Sequence, residues 1–295
     1  MTRKQPIKTW STPVSAGISR TVPCALCKGS SFRRGLDCGD FSYVRCVSCG
    51  LVQMNPQPDK AEVMRRYREV YGDDYLSYEL RNEDAFLGLQ LLALKDSGFE
   101  THEKYLFGKL AETGIQPHVL DIGCATGTLL EYLRNRDWRV TGVEISPSAE
   151  YARNRRNLDI SSLPLEENRF SPETFDIIHA SHFIEHLNDP RSFLDETFRI
   201  LKQDGHVFII TPNISGFQAR FFGSRWRSAI FDHLYLFSKG TLIKLLKNTG
   251  FKIERCRSWG GLAAGMAPKW LKKTADFLAK HFNCGDVMII RAKKI

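Results

Sequence analysis

Residues 119–133, VLDIGCATGTLLEYL, combine three kinds of local structure that together suit ligand binding. The first residues predict a short buried strand, and leucines at helical spacing follow a turn of small residues. Small residues let the backbone approach a ligand closely. A helix that begins after such a turn directs unpaired N–H groups and a partial positive charge toward the ligand. The stretch therefore predicts a ligand-binding loop at residues 123–127.

The spacing of this loop does not match the two best-known phosphate loops. Dinucleotide folds use G-x-G-x-x-G, and P-loops need a lysine followed by Ser or Thr. Here the pattern is D-x-G-x-x-x-G and contains no lysine. It resembles motif I of the class I S-adenosylmethionine-dependent methyltransferases, D-x-G-C/S-G-x-G, with alanine where that family most often has glycine. The resemblance implies S-adenosylmethionine as cofactor, bound around Asp121, Gly123, Cys124, Ala125 and Gly127.

Three further segments resemble cofactor-binding positions of this family. Glu144 and Ile145 follow the second predicted strand, and an acid at the carboxyl end of a strand can accept both hydroxyls of a ribose. Asp159 begins a D-x-x-x-L-P segment that resembles one in the family, where the Asp or its neighbour meets the adenine, although a plain surface acid is equally compatible. Ser181 ends the fourth predicted strand and starts a segment that, by resemblance, lies between cofactor and substrate.

Two histidines in that segment, SHFIEHL, are candidates for proton transfer. The imidazole of His182 or of His186 can take a proton from an acceptor as the methyl group arrives. A role in packing or capping the loop is equally compatible with the sequence. The order H-x-x-E-H differs from the H-E-x-x-H of zinc peptidases, so we do not expect peptidase chemistry.

Two C-x-x-C pairs near the start of the chain predict a metal site. Eighteen residues separate the pairs, which is typical of a four-thiolate zinc site. Four thiolates leave no coordination position for water, so we expect one structural zinc ion. A disulfide pairing is the less favoured alternative, and Cys38 is expected to be a bystander. The expected ligands are Cys24, Cys27, Cys46 and Cys49.

Alternating strand and helix patterns from residue 116 onward predict a parallel, doubly wound sheet. The resemblance, which covers residues 116–292, implies an α/β fold with a Rossmann-like seven-stranded sheet, helices on both faces and an antiparallel last strand at 286–292. We expect a flexible tail at 1–20, a zinc ribbon at 21–58 and a helical linker or cap at 59–115, with helices at 59–71 and 86–110. The methyltransferase domain then occupies 116–295, with inserts at 214–238 and 260–284.

The inserts and the charge distribution suggest the substrate. Residues 1–58 hold eight Lys or Arg against two Asp, and residues 259–295 hold seven against two. In the first insert Arg220, Arg225 and Arg227 alternate with Phe221, Phe222 and Trp226, a mixture that suits sugars, nucleotides and phosphates. The second insert predicts a basic amphipathic helix, so peripheral membrane contact is a further expectation.

We expect methyl transfer to an O, N or C acceptor on a small or lipid-linked anionic glycan. The first alternative is methylation of rRNA or tRNA, with the ribbon docking the RNA. The second alternative is a cofactor-binding regulator without catalysis. No apolar run is long enough to span a membrane and no secretory signal is recognisable, so a cytoplasmic location is expected.

Overall fold

A computed structural model describes residues 19–70, 73–261 and 269–295. The first eighteen residues of the predicted tail therefore lie outside the described residues, as does most of the first half of the predicted second insert. Ser19–Arg20, which we had assigned to the tail, form a short strand. No helix among the described residues is long and apolar enough to cross a membrane.

The cysteine-rich region contains five short strands. They are β1 (Ser19–Arg20), β2 (Phe32–Asp37), β3 (Ser42–Cys46), β4 (Val52–Met54) and β5 (Gln57–Pro58). Strands β2, β3 and β4 form an antiparallel meander, and β1 pairs with β5. The meander brings the two C-x-x-C turns together, since one precedes β2 and the other connects β3 to β4.

Three helices connect this region to the main sheet: α1 (Lys60–Arg65), α2 (Asp73–Ser97) and α3 (Phe99–Thr113). The Asp59 side chain accepts a hydrogen bond from the backbone N–H of Glu62 and so caps α1, which continues as a π-helical turn, Arg66–Val70. The single helix expected at 86–110 is instead split, because Gly98 adopts a left-handed conformation with φ +84°.

The main sheet has seven strands in the order β12-β13-β10-β9-β6-β7-β8. All neighbouring strands are parallel except that β13 runs antiparallel to both β10 and β12, so the predicted fold class is confirmed. The strands after the ribbon are β6 (His118–Ile122), β7 (Arg139–Val143), β8 (Ile160–Ser161), β9 (Phe175–Ser181), β10 (Leu201–Pro212), β11 (Tyr235–Leu236), β12 (Phe251–Trp259) and β13 (Val287–Lys294).

Helices cover both faces of this sheet. They are α4 (Thr128–Arg134), α5 (Ser148–Arg156), α6 (Pro190–Ile200), α7 (Phe217–Phe222), α8 (Lys239–Asn248) and α9 (Lys269–His281). One apolar cluster joins α2 and α3 to the sheet, with Trp138 stacked on Phe99 at a ring distance of 5.7 Å. The Trp138 indole N–H donates to a carboxylate oxygen of Glu103 on α3, which satisfies the buried polar group.

The cysteine-rich region is not a separate body. Strand β11, which lies within the first insert, pairs antiparallel with β4 and completes a four-stranded sheet. The buried hydroxyl of Tyr43 on β3 lies 2.7 Å from the carbonyl oxygen of Ile230 and 2.8 Å from that of His233, and donates toward both. One apolar core runs from the ribbon into the main sheet. The ribbon therefore holds the first insert in place.

Candidate functional site

The loop after β6 has the backbone shape that its composition predicts. Gly123 and Gly127 adopt φ values of +73° and +78°. A Cβ atom at 123 would lie 2.8 Å from the Phe183 ring, and one at 127 would lie 2.5 Å from a methyl group of Leu158. Both positions therefore need glycine for conformation and for space. Ala125 also has positive φ, +50°, which explains why glycine is the residue usually found there in motif I.

Glu144 holds this loop through its carboxylate. Oε2 accepts a hydrogen bond from the Ala125 backbone N–H at 3.0 Å, and Oε1 accepts one from that of Ser146 at 2.8 Å. Each oxygen keeps a further lone pair, so the carboxylate can still accept the hydroxyls of a ribose. Ile145 follows directly and is half-buried. The geometry fits the role predicted for Glu144 at the carboxyl end of β7.

The other side chains of motif I face inward. Asp121 is almost fully buried, and its Oδ1 lies 2.7 Å from Nδ1 of His179 on β9. Cys124 is also buried, and burial raises the pKa of its thiol, which is therefore neutral. Cys124 contributes backbone to the loop and a small apolar side chain to the core. The cofactor roles predicted for these two residues stay predictions.

Asp159 does not lie where the sequence pattern suggested. It is exposed and precedes the two-residue strand β8, whereas the cofactor loops follow the strands. Its carboxylate accepts a hydrogen bond from Thr141 Oγ1 at 3.4 Å, and Thr141 is the middle residue of β7. The position does not support a contact with the adenine. The cofactor role predicted for Asp159 stays a prediction.

The sequence did not reveal Glu79 as part of the site. Helix α2 brings this buried residue beside the Glu144 loop, where its Oε2 accepts a hydrogen bond from Ser148 Oγ at 2.7 Å. Burial and the nearby charge of Glu144 raise the pKa of Glu79 to about 7. The sequence could not predict this position, because a helical pattern around residue 79 does not indicate which strand ends the helix will cover.

The turn after β9 carries the two predicted catalytic histidines. Ser181 ends the strand, His182 has φ +51°, and a 3-10 turn covers Ile184–His186. His182 is about half exposed, and its Nδ1 lies 3.3 Å from Oε1 of the fully buried Glu185. Although burial raises the pKa of Glu185, the neighbouring histidines lower it to about 2. The turn also places Phe183 against Gly123, so the histidine segment lies next to the cofactor loop.

His186 points elsewhere than His182. Its Nδ1 donates a hydrogen bond to the carbonyl oxygen of Asp232 in the first insert at 2.8 Å. Its ring packs edge-on against that of His233, with centroids 4.7 Å apart. The two histidines therefore differ: His182 is accessible beside a carboxylate, and His186 joins the turn to the insert.

The four predicted metal ligands converge. The sulfur atoms of Cys24 and Cys49 are 3.3 Å apart, those of Cys27 and Cys46 are 3.5 Å apart, and all four lie within 4.8 Å of one another. A tetrahedral zinc ion with Zn–S bonds of about 2.3 Å needs sulfurs roughly 3.8 Å apart. The arrangement therefore fits one four-coordinate ion. Cys38 lies outside the group, as expected.

Comparison with known proteins agrees with this geometry. Residues 81–255, more than half of the chain, match the family model described as a methyltransferase domain. Ubiquinone biosynthesis O-methyltransferases of Idiomarina loihiensis and Coxiella burnetii are 31% identical over 121 residues and 32% identical over 102 residues. These matches cover 39% and 32% of this chain and 46% and 44% of the relatives. The chain thus spans less than half the length of the curated relatives it matches.

Two solved structures align with part of this chain. A SAM-dependent methyltransferase from Thermotoga maritima aligns with a TM-score of 0.48 and 23% identity, over 61% of this chain and 84% of that one. One from Archaeoglobus fulgidus aligns with a TM-score of 0.46 and 19% identity, over 70% and 99%.

The chain belongs to the methyltransferase-domain family, and its sheet has the Rossmann-like order that the resemblance to class I S-adenosylmethionine-dependent methyltransferases implies. The Glu144 carboxylate fits this cofactor, since it borders the loop after β6 and each of its oxygens can accept one more hydrogen bond. When bound, the cofactor supplies an activated methyl group. The loop after β6 and the Glu144 carboxylate would hold the cofactor, and positioning is a major source of rate in such transfers.

Replacing Glu144 tests the cofactor site. We expect Glu144→Gln to weaken S-adenosylmethionine binding roughly ten- to hundredfold, because hydrogen bonds to a charged group contribute about 1.5–3 kcal/mol. Isothermal titration calorimetry measures the change. Asp159→Asn is the control, since the structure keeps Asp159 away from the loop. Equal affinities for the two variants would contradict the assignment.

Replacing one cysteine tests the metal site. We expect Cys49→Ser to reduce the zinc content from about one equivalent to near zero and to lower the thermal unfolding temperature, because the ribbon then loses its crosslink. Metal analysis of the purified full-length chain provides the measurement. Cys38→Ser removes a thiol from the same region but not from the cluster, so it should keep its zinc. The same zinc content in both variants would refute the site.

Glu79 predicts a dependence of stability on pH in the cofactor-free protein. Its pKa rises from 4.5 to about 7 on folding, so the folded state binds the extra proton between these values. The free energy of unfolding should fall as the pH rises through this window, by on the order of 3 kcal/mol.

The variant Glu79→Gln should lose this fall and exceed the parent in stability above pH 7. Denaturant unfolding between pH 4 and pH 8 measures the effect. The exposed Glu100 on α3 offers a control, because Glu100→Gln removes the same charge and should leave the pH profile as in the parent. Parallel profiles for Glu79→Gln and the parent protein would contradict the interpretation.

Proposed function

We propose that this methyltransferase transfers its methyl group to an oxygen of a lipid-linked or small anionic glycan. The observation that carries the proposal is an exposed aromatic surface, flanked by arginines, where the two inserts meet. The backbone N–H of Phe217 donates to the carbonyl oxygen of Cys284 at 2.9 Å and joins the inserts there. Phe217 stacks on Phe221, with ring centroids 6.0 Å apart.

This aromatic surface is unusually open. Phe221, Phe277 and Phe282 are 67–69% exposed, and Phe217 is about half exposed. Grouped aromatic rings on a protein surface mark sites that contact partners or lipids. Exposed arginines at 220 and 225 lie in the same segment and favour anionic groups such as phosphate. An acceptor with a lipid anchor and an anionic head group suits both features.

The first insert also corrects one expectation. Trp226 was expected among the rings available to a substrate, but it is 2% exposed and its indole N–H donates to Asp286. Arg227 forms an ion pair with the other oxygen of the same carboxylate. Trp226 and Arg227 therefore anchor the insert to the sheet, and Arg220 and Arg225 are the arginines that support the proposal.

His182 is the residue that we assign to proton removal. It lies on the turn that packs against the cofactor loop, and it is the more exposed of the two candidate histidines. The carboxylate of Glu185, 3.3 Å from Nδ1, attracts the positive charge that His182 gains when it takes a proton. An acceptor hydroxyl needs such a base as its oxygen is methylated. The names of the matched relatives, which are O-methyltransferases, agree with an oxygen acceptor.

The test uses S-adenosylmethionine labelled in its methyl group and fractions of a host extract. We expect label in lipid-extractable or small anionic glycan material, stable to mild alkali because a methyl ether does not hydrolyse as a methyl ester does. Label in RNA would support the RNA alternative instead. The absence of label in every fraction, with cofactor binding retained, would favour the regulator.

A second arm tests the aromatic surface with vesicles. We expect the full chain to bind phosphatidylglycerol vesicles more tightly than phosphatidylcholine vesicles, and Phe221→Ser to weaken binding roughly tenfold, since burying a large apolar side chain contributes about 1.5–3 kcal/mol. Ile115 is equally exposed and precedes β6 at the opposite edge of the strands, so Ile115→Ser is the control. Equal binding by both variants would overturn the role of this surface.

A further inference from the structure

Three side chains on the acceptor side form a second cluster of potential metal ligands. Glu185 and His186 lie on the turn after β9, and His233 lies in the first insert. One ligand atom from each lies within 4.8 Å of the others. Among the described residues, only this group and the four cysteines form such a cluster of His, Cys, Asp or Glu.

The hydrogen bonds of the two histidines fix which nitrogen is available. Nδ1 of His186 is 2.8 Å from the carbonyl oxygen of Asp232, and Nδ1 of His233 is 2.8 Å from that of Ser228. A carbonyl oxygen only accepts, so each Nδ1 carries the proton and each neutral ring has its lone pair on Nε2. Metal-bound histidines are typically held in this way, with the second nitrogen donating to a carbonyl or carboxylate.

The carboxylate of Glu185 supplies an independent observation. Oε2 accepts a hydrogen bond from Thr211 Oγ1 at 3.0 Å. Oε1 is fully buried, and among the described residues no hydrogen-bond donor satisfies it, although Nδ1 of His182 lies 3.3 Å away. A buried carboxylate oxygen without a donor is costly unless a cation neutralises it. The cluster thus combines a buried carboxylate with two rings whose lone pairs are on Nε2.

We propose that Glu185, His186 and His233 bind a divalent transition-metal ion through one carboxylate oxygen and the two Nε2 atoms. Two imidazoles and one carboxylate suit zinc, iron, cobalt or manganese, whereas magnesium and calcium prefer oxygen ligands alone. Three protein ligands leave coordination positions open, unlike the four-cysteine site. This site shares no ligand with the four-cysteine site.

The ion links two parts of the acceptor side. Two ligands come from the turn that carries His182, and the third comes from the insert that the ribbon holds through β11 and Tyr43. Resting on the proposed function, we assign the open positions to water or to an oxygen of the acceptor. An ion held by Glu185, His186 and His233 would supply a Lewis acid for an acceptor oxygen on the turn that carries His182.

Cobalt titration of the metal-free full chain distinguishes the two sites. We expect two equivalents to bind per chain. One gives the strong thiolate-to-cobalt charge-transfer absorption of a cysteine site, and the other gives only the weak visible bands of nitrogen and oxygen ligands. A single equivalent with thiolate absorption would overturn the proposal.

Two variants locate the second ion. His186 is half-buried, and His186→Gln should reduce the affinity for the second cobalt ion at least about tenfold. Glu185→Gln should do the same, and circular dichroism checks that each variant folds. His281→Gln, an exposed histidine on α9, is the control and should keep both equivalents. A second equivalent that survives both cluster substitutions would refute the assignment.

The outcome is separable from the proposed acceptor. If the second equivalent is absent while labelled glycan still forms, the metal inference fails and the proposed function stands. If the second equivalent binds as expected while label enters RNA, the acceptor proposal fails and the metal site stands.

Discussion

The pairing of β11 with β4 is the contact on which the acceptor side depends. It joins a strand of the first insert to the cysteine-rich meander, and Tyr43 adds hydrogen bonds toward carbonyl oxygens of the same insert. A two-residue strand contributes little by itself, so the meander must be rigid to position it. The four cysteines converge within this meander, and an ion bound there would hold it rigid.

Donor and acceptor sides are built by different means. The donor loop is local: its glycines, its strand and its helix follow one another in the chain, and Glu144 completes it from the neighbouring strand. The acceptor side is assembled from distant segments, with the turn after β9 and the insert after β10 meeting through His186 and the Asp232 carbonyl oxygen. Local sequence patterns therefore describe the donor side better than the acceptor side.

Particular residues show which features could be predicted from the sequence and which could not. The sheet and the meeting of four cysteines were predictable, because hydrophobic periodicity and ligand spacing are local signals. The antiparallel last strand was expected from the family resemblance alone. Glu79 was missed and Asp159 was misplaced, because each depends on where a helix or a short strand begins. Trp226 looked like a surface ring in a basic segment, yet its indole N–H binds Asp286, which lies sixty residues later.

The sequence by itself determined the methyl donor and the cysteine site, because their residues occur at fixed short spacings that only a few folds use. The tertiary structure alone decided which side chains from distant parts of the chain lie close together. It placed His233 beside Glu185 and His186, and it joined the two inserts where the Phe217 backbone N–H donates to the Cys284 carbonyl oxygen. These contacts join residues 40 or more positions apart, and their geometry depends on packing that no local pattern records.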